Sequence, residues 1–273
     1  MNVKQAYDYS VSFLKANGVD EYENKALNAV CYVAGIKINE YYNHKEDFII
    51  MKKLADFLWR LKCGEPLQYI LGKWDFYESE FYVGEGVLIP RPETEELVEL
   101  AVDILQNYEN PIVVDLCSGS GCIGISIAKA VKNSQVYCIE KSENAFFYLQ
   151  KNANGIDKVK CILGDISNEY QLPKADLIIS NPPYIKTKDI EFLQAEVKKE
   201  PVMALDGGTD GLDFYRIIND RWNDKLKNDG VLLLEIGDEQ GETIKSVLTH
   251  FNNIIVKKDL SGNDRIVVAT KVR

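Results

Sequence analysis

The sequence predicts an α/β fold: a mostly parallel, Rossmann-like sheet that closes on an antiparallel hairpin, preceded by a small helical domain. Three observations carry that expectation. Beyond Pro111, short apolar runs alternate with helical stretches, as in a parallel sheet covered on both faces. The chain then ends in "NIIVKKD" and "RIVVATK", separated by "LSGN", turn chemistry that joins neighbouring antiparallel strands. Ahead of both regions, apolar residues recur at helical spacing, with glycines closing each stripe.

Taken in order, Ala26, Ala29, Val30 and Val33 repeat before Gly35, and Leu54, Phe57, Leu58 and Leu61 repeat before Gly64 and Pro66. Such stripes are core, and they imply a helical domain over residues 1–72. From Trp74, "WDFYESEFYVGEGVLIPRPE" alternates aromatic and polar residues around glycines, so 73–90 reads as a β-hairpin linker. A helix then starts near Glu93, after Pro92 and with acids in its first turn, and runs through Leu97, Leu100, Ala101, Ile104 and Leu105. Strands are expected at 112–116, 135–140, 159–165, 175–180 and 231–236. With the terminal hairpin these make a seven-stranded sheet in a domain spanning 91–273.

Composition narrows the function. No apolar run approaches the roughly 20 residues that cross a bilayer, and the start "MNVKQAYDYSVSF" lacks the basic and apolar regions of a signal peptide. A cytoplasmic protein is expected, with no membrane partner. Cys31, Cys63, Cys117, Cys122, Cys138 and Cys161 are scattered without zinc-ligand spacing, and the two histidines, His44 and His250, lie far apart, so no metal site is expected. A net charge of −10 argues against a phosphate backbone as the main partner, because such affinity comes from Lys and Arg displacing counterions. The acidity suits a small-molecule enzyme or one that docks a basic protein.

The first strand leads into "DLCSGSGCIGISIA", where Gly119, Gly121 and Gly124 match G-x-G-x-x-G. A glycine loop opening a helix fits a dinucleotide, S-adenosyl-L-methionine or a purely structural turn. Three acids favour the second. Asp115 closes the strand before the loop, where a pyrophosphate would be repelled and a sulfonium cofactor with an α-amino group would not. Glu140 ends the next strand, where a carboxylate accepts from both ribose hydroxyls, and Asp165 ends the third, suited to an adenine amino group. An antiparallel last strand is typical of S-adenosylmethionine-dependent methyltransferases, an argument from fold analogy.

The fourth strand ends in "IISNPPYIK". Two prolines after an asparagine leave acceptors without competing backbone donors. The Asn181 side-chain oxygen and the Pro182 carbonyl could each take one hydrogen of a planar amino group, Pro183 would stiffen the rim, and Tyr184 could stack on the plane. Holding both hydrogens aims the nitrogen at a methyl carbon, and no strong base is required. A simple proline turn is the competing reading.

At these residues a specific resemblance appears. "EPLQYILG" (65–72), "FYVGEGVLIPRPETEELV" (81–98), "VVDLCSGSGCIGISIA" (113–128), "NPPYI" (181–185) and "EPVMALDGGTDGLDFYRII" (200–218) resemble, in order, blocks of the release-factor glutamine methyltransferase (HemK/PrmC) family. The resemblance implies a class I S-adenosylmethionine-dependent methyltransferase that modifies the glutamine of the Gly-Gly-Gln motif in peptide chain release factors. It implies that Cys117, Ser118, Gly119, Ser120, Gly121, Glu140, Ile166 and Asn181 line the cofactor site, that Asn181, Pro182, Pro183 and Tyr184 receive the glutamine, and that the helical domain helps to dock the factor. Glu140 stands where the family often has aspartate, and Ile166 where an aromatic residue can occur. The rivals are nucleic-acid amino methyltransferases, which use the same geometry on a flipped base, and the ribosomal-protein glutamine methyltransferases, which share the NPPY motif. A monomer is expected.

Overall fold

The computed structural model describes residues 1–271. They form two compact units, one of residues 1–72 together with 194–199, the other of the remainder.

The first unit is helical: α1 (Val3–Ala16), α2 (Tyr22–Ala34), α3 (Met51–Lys62) and α4 (Leu67–Leu71). Helix α1 starts on a capping box, with Asn2 Oδ1 accepting from the Gln5 backbone at 2.8 Å and Gln5 Oε1 accepting from the Asn2 backbone at 3.2 Å. Helix α2 ends at Gly35 in the left-handed conformation, φ +72°. Ala26, Ala29, Val30, Leu54, Phe57, Leu58 and Leu61 are buried, joined by Val3, Ala6 and Leu14 of α1. Lys25 is buried too, its ammonium paired with Glu196 from the returning segment.

The second unit opens with a hairpin, β1 (Lys73–Phe76) and β2 (Ser79–Tyr82), turning at Tyr77 and Glu78. Then follow α5 (Glu93–Leu105), β3 (Ile112–Leu116), α6 (Cys122–Ala130), β4 (Gln135–Glu140), α7 (Glu143–Ala153), β5 (Val159–Leu163) and β6 (Ala175–Ser180). The chain finishes with α8 (Asp213–Trp222), β7 (Leu226–Glu235), α9 (Gly241–Val247), β8 (Phe251–Lys258) and β9 (Asp264–Lys271).

The seven strands lie in the order β5-β4-β3-β6-β7-β9-β8. Strands β3 to β7 run parallel, and β9 is antiparallel to both β7 and β8. Alternation splits the core cleanly. Val113, Leu177, Ile179 and Leu233 join the layer containing Leu97, Ile125 and Leu149. Val114, Leu116, Ile178, Leu232 and Leu234 join the layer containing Tyr215, Ile218 and Trp222.

Two of the parallel strands, β5 and β7, differ from expectation. Strand β5 stops at Leu163: the Gly164 N–H makes the last ladder bond, to the Glu140 carbonyl at 2.8 Å, and Asp165 begins a local turn on Ser167. Strand β7 starts five residues early, at Leu226, through an exposed Lys227, Asn228 and Asp229 that carry no apolar signal. The consequence for function lies in the strand order. From β3 the chain moves outward through β4 and β5, then crosses back to β6 on the other side of β3. That reversal opens a crevice at the carboxyl ends of β3 and β6, the place where open α/β sheets bind ligands.

Candidate active site

Residues 117–121 link β3 to α6 in a tight loop. Ser118 anchors it, its N–H donating to the Ile139 carbonyl at 3.0 Å and its hydroxyl to the Asp115 carbonyl at 2.8 Å. Cys117, though not a glycine, is held at φ +57°. A Cβ on Gly119 would meet nothing nearer than Val87 Cγ2 at 4.0 Å, so bare backbone there borders open space. Gly124 serves the opposite purpose. A Cβ on it would lie 2.5 Å from Cys138 Sγ, so only glycine lets α6 sit this close to β3 and β4.

Asp115 requires a correction. It does not line the crevice but is fully buried beneath the loop, where Oδ2 accepts the Gly124 N–H at 3.0 Å. The parity of β3 explains this: Val114 and Leu116 face one layer, so Asp115 faces the other, toward α6. Burial, only partly offset by the Gly124 and Ser118 hydrogen bonds, raises its carboxyl pKa to about 7.

Glu140 does face the crevice, at the end of β4. Its Oε2 accepts the Gly119 N–H at 2.8 Å and its Oε1 the Ser142 N–H at 2.7 Å, tying the first glycine loop to the start of α7. Burial pushes its carboxyl above the usual range against the pull of those N–H groups. Asp165 lies two residues beyond β5. Oδ1 takes the Ser167 N–H and hydroxyl, and Oδ2 pairs with Lys141 at 2.8 Å. Partial burial raises its pKa, but the bonds from Lys141 and Ser167 more than compensate and leave it low. Ile166 is buried against the crevice, and the Trp222 indole N–H holds its carbonyl at 2.9 Å.

Asn181 follows β6 directly and lies across the crevice from Glu140. Its Nδ2 donates to the Thr94 hydroxyl at 3.1 Å. Pro183 also borders the crevice; Pro182 and Tyr184 are not among its lining residues. The Tyr184 hydroxyl instead donates to Glu235 at 3.3 Å, and burial beside that carboxylate raises its pKa. The segment is clamped from behind. Gln240 Nε2 donates to the Tyr184 carbonyl at 3.2 Å, Ile185 N–H to the Leu205 carbonyl at 2.9 Å, and Gly207 N–H to the Ile185 carbonyl at 2.8 Å.

The resulting cavity holds about 960 Å³ including its open mouth. Besides the residues above, it is bordered by Leu88 to Arg91, by Pro201, Met203 and Ala204, and by Phe214. Glu200 stitches the first two walls together, accepting the Ile89 N–H at 2.9 Å and pairing with Arg91. Sequence reasoning assigned no role to Thr94, Glu200, Glu235 or Trp222. Their only signal was membership of the quoted blocks, and that holds only for Thr94 and Glu200.

An adenosyl sulfonium fits this donor set. Glu140 has an acceptor site left on each oxygen for a diol, and Ile139, Ala145 and Ile166 supply apolar surface.

Comparison with known proteins agrees with this geometry. Residues 96–206 match the Methyltransferase small domain family, and residues 5–72 match the PrmC N-terminal domain. A release factor glutamine methyltransferase of Thermodesulfovibrio yellowstonii is 40% identical over 259 residues, covering 90% of this chain and 92% of that protein. One from Clostridium acetobutylicum is 35% identical over 284 aligned positions, covering 99% of each. The hMettl16 catalytic domain, solved with MAT2A 3′UTR hairpin 6, superposes with a TM-score of 0.56 at 16% identity, covering 68% of this chain and 73% of that one, a likeness of fold. The cofactor is S-adenosylmethionine. By sequence over nearly its full length, the chain belongs to the release factor glutamine methyltransferase family.

Proposed function

We propose that this protein transfers a methyl group from S-adenosylmethionine to the side-chain amide nitrogen of the glutamine in the Gly-Gly-Gln motif of peptide chain release factors, in the cytoplasm. The observation that carries the reading is the Asn181 amide at the crevice, its nitrogen engaged by Thr94. With its NH2 end held, the amide offers its oxygen as acceptor.

A glutamine amide is a poor nucleophile because its lone pair is delocalised into the carbonyl. The cofactor supplies an electrophilic methyl carbon. The protein's part is alignment: Asn181 Oδ1 and the Pro182 carbonyl accept the two amide hydrogens, and Pro183 keeps the rim stiff. Tyr184, which does not line the crevice, braces the rim from behind while Glu235 holds its hydroxyl. Glu140, Cys117 to Gly121, Asp165 and Ile166 bind the cofactor, and Asp115 supports the loop from below. The nitrogen becomes acidic once methylated, so the proton leaves to water without a dedicated base.

Remote contacts with a folded substrate supply orientation that a weak nucleophile needs. We assign that docking role to residues 1–72, a unit that exposes Tyr42, Phe48 and Trp59. The test offers labelled S-adenosylmethionine with a release factor, its glutamine-to-alanine variant, a ribosomal protein mixture and duplex DNA. Label on the first alone is expected; label on DNA or ribosomal protein and none on the factor overturns the reading. A free Gly-Gly-Gln peptide is expected to be a poor substrate, and equal efficiency with the intact factor would remove the docking role.

A further inference from the structure

An amide has two ends that differ chemically but hardly in shape, so a site that relies on the Asn181 oxygen has to dictate which end faces the substrate. Thr94 is buried in the first turn of α5. Its hydroxyl donates to Glu235 Oε2 at 2.6 Å and accepts from Asn181 Nδ2 at 3.1 Å. The other carboxylate oxygen of Glu235 takes the Tyr184 hydroxyl at 3.3 Å. Tyr215 steadies the same residue by donating its hydroxyl to the Glu235 backbone carbonyl at 2.9 Å.

A hydroxyl carries one hydrogen, and an ionised carboxylate can only accept. The Thr94 hydrogen is therefore committed to Glu235, and Thr94 can meet Asn181 only as an acceptor. An inverted Asn181 amide would set its oxygen against the Thr94 oxygen with no hydrogen between them. The arrangement also accounts for a carboxylate kept 2% exposed at the end of a central strand, where burial is costly. Glutamine at that position could present either end to Thr94 and would transmit no polarity.

We propose that Thr94 and Glu235 are positioning residues, a carboxylate-to-hydroxyl-to-amide relay that fixes the orientation of Asn181 and, through the Tyr184 hydroxyl, braces the segment that carries it. The charged and titratable groups around Glu235 are Arg265, Glu93, Tyr184, Tyr215 and Cys122, with Thr94 as the neutral donor. Arg265 is itself engaged by Asp259 at 3.2 Å and the Ile236 carbonyl at 3.3 Å. The proposal rests on reading Asn181 as the acceptor for the substrate amide, so its test includes an arm independent of substrate.

Thr94→Val keeps the side-chain shape and removes the oxygen; Thr94→Ser keeps the oxygen and removes the methyl. On an intact release factor, Thr94→Val is expected to lower kcat by tenfold or more, on the order of the loss that misplacement at a reacting centre brings. Cofactor affinity by calorimetry is expected to stay unchanged, and Thr94→Ser to recover most of kcat. Wild-type kcat in Thr94→Val, or no recovery in Thr94→Ser, overturns the relay. The substrate-free arm is the NMR signal of the Asn181 side-chain NH2. A nuclear Overhauser contact between those protons and the Thr94 methyl, with exchange that speeds up in Thr94→Val, is expected. Absence of that contact in the wild type overturns the relay whatever the substrate, whereas a wild type that shows the contact but does not label release factor overturns only the functional reading.

Discussion

Gly207 offers a perturbation whose size can be worked from the coordinates. A Cβ placed there would lie 2.7 Å from Tyr184 Cα, 2.8 Å from the Pro183 carbonyl oxygen and 2.9 Å from the Tyr184 carbonyl carbon. All three are backbone atoms, so no rotamer change relieves the clash. Restoring ordinary contact at 3.4 Å requires the two segments to part by about 0.7 Å. They are pinned on either side by the hydrogen bonds linking Ile185 to Leu205 and Gly207, and by Gln240 on the Tyr184 carbonyl. Gly207→Ala is thus expected to cost about 1–3 kcal/mol in overpacking. It also moves the rim that carries Asn181, for which a fall in kcat of about 10²-fold is the appropriate scale. Steady-state methylation of a release factor gives kcat, and calorimetry gives cofactor affinity, expected to be intact because Glu140 and the loop at 117–121 do not touch Gly207. Gly155→Ala is the control, since its φ of +79° strains an alanine while nothing stands within 4 Å. It is expected to lose stability and keep kcat. Wild-type kcat and stability in Gly207→Ala would refute the idea of a rigid rim, and loss of cofactor binding would refute its locality.

Three further outcomes are expected. Glu140→Gln replaces one acceptor by an NH2 group facing a backbone N–H of Gly119 or Ser142, so cofactor affinity is expected to fall about tenfold or more, on the scale of one or two lost charge-assisted hydrogen bonds; unchanged affinity by calorimetry would contradict the role given to it. Asp115 titrates near pH 7 in the folded chain and near 3.9 unfolded, so between those values the native state holds the extra proton and stability falls as pH rises, by up to about 4 kcal/mol above pH 7. Asp115→Asn removes that penalty, and denaturant unfolding is expected to show its advantage over wild type growing from pH 5 to pH 8; an advantage equal at both values would refute the buried titration. Glu200→Ala strands the Ile89 N–H and the Arg91 guanidinium, with a cost of about 2 kcal/mol after discounting for the partial exposure of Arg91, measured as a shift in the denaturant midpoint.

What could be read in the sequence follows from where the side chains go. Strands β3, β4 and β6 were legible to the residue because both of their faces are covered, which leaves a compact apolar run ending sharply at polar residues. Helix α1 had no such signal, since its buried row includes Ser10, whose hydroxyl is satisfied by the Ala6 carbonyl at 2.7 Å. Asp115 was legible as an acid at a strand end but was assigned to the wrong face. Counting parity from Val114 would have turned it inward. Thr94 and Glu235 were out of reach for another reason. They are 141 positions apart, and neither residue type announces a partner at that separation. Segment 194–199 likewise joins the N-terminal unit through folding alone.

The two halves of the crevice divide their labour by which lone pairs the fold leaves free. Glu140 gives one acceptor site on each oxygen to backbone N–H groups and keeps two, the number a ribose diol needs. Asp165, with three sites taken by Ser167 and Lys141, keeps one, the number a single amino hydrogen needs. Asn181 is the mirror case, a neutral group whose donor end is occupied and whose oxygen is left whole. A full negative charge there would favour the positive sulfonium before transfer, whereas transfer removes that charge from sulfur. Binding that is strong before the transition state lowers KM without raising kcat. By placing the charge one hydroxyl away, on Glu235, the fold keeps the acceptor neutral where the amide binds and still imposes its direction.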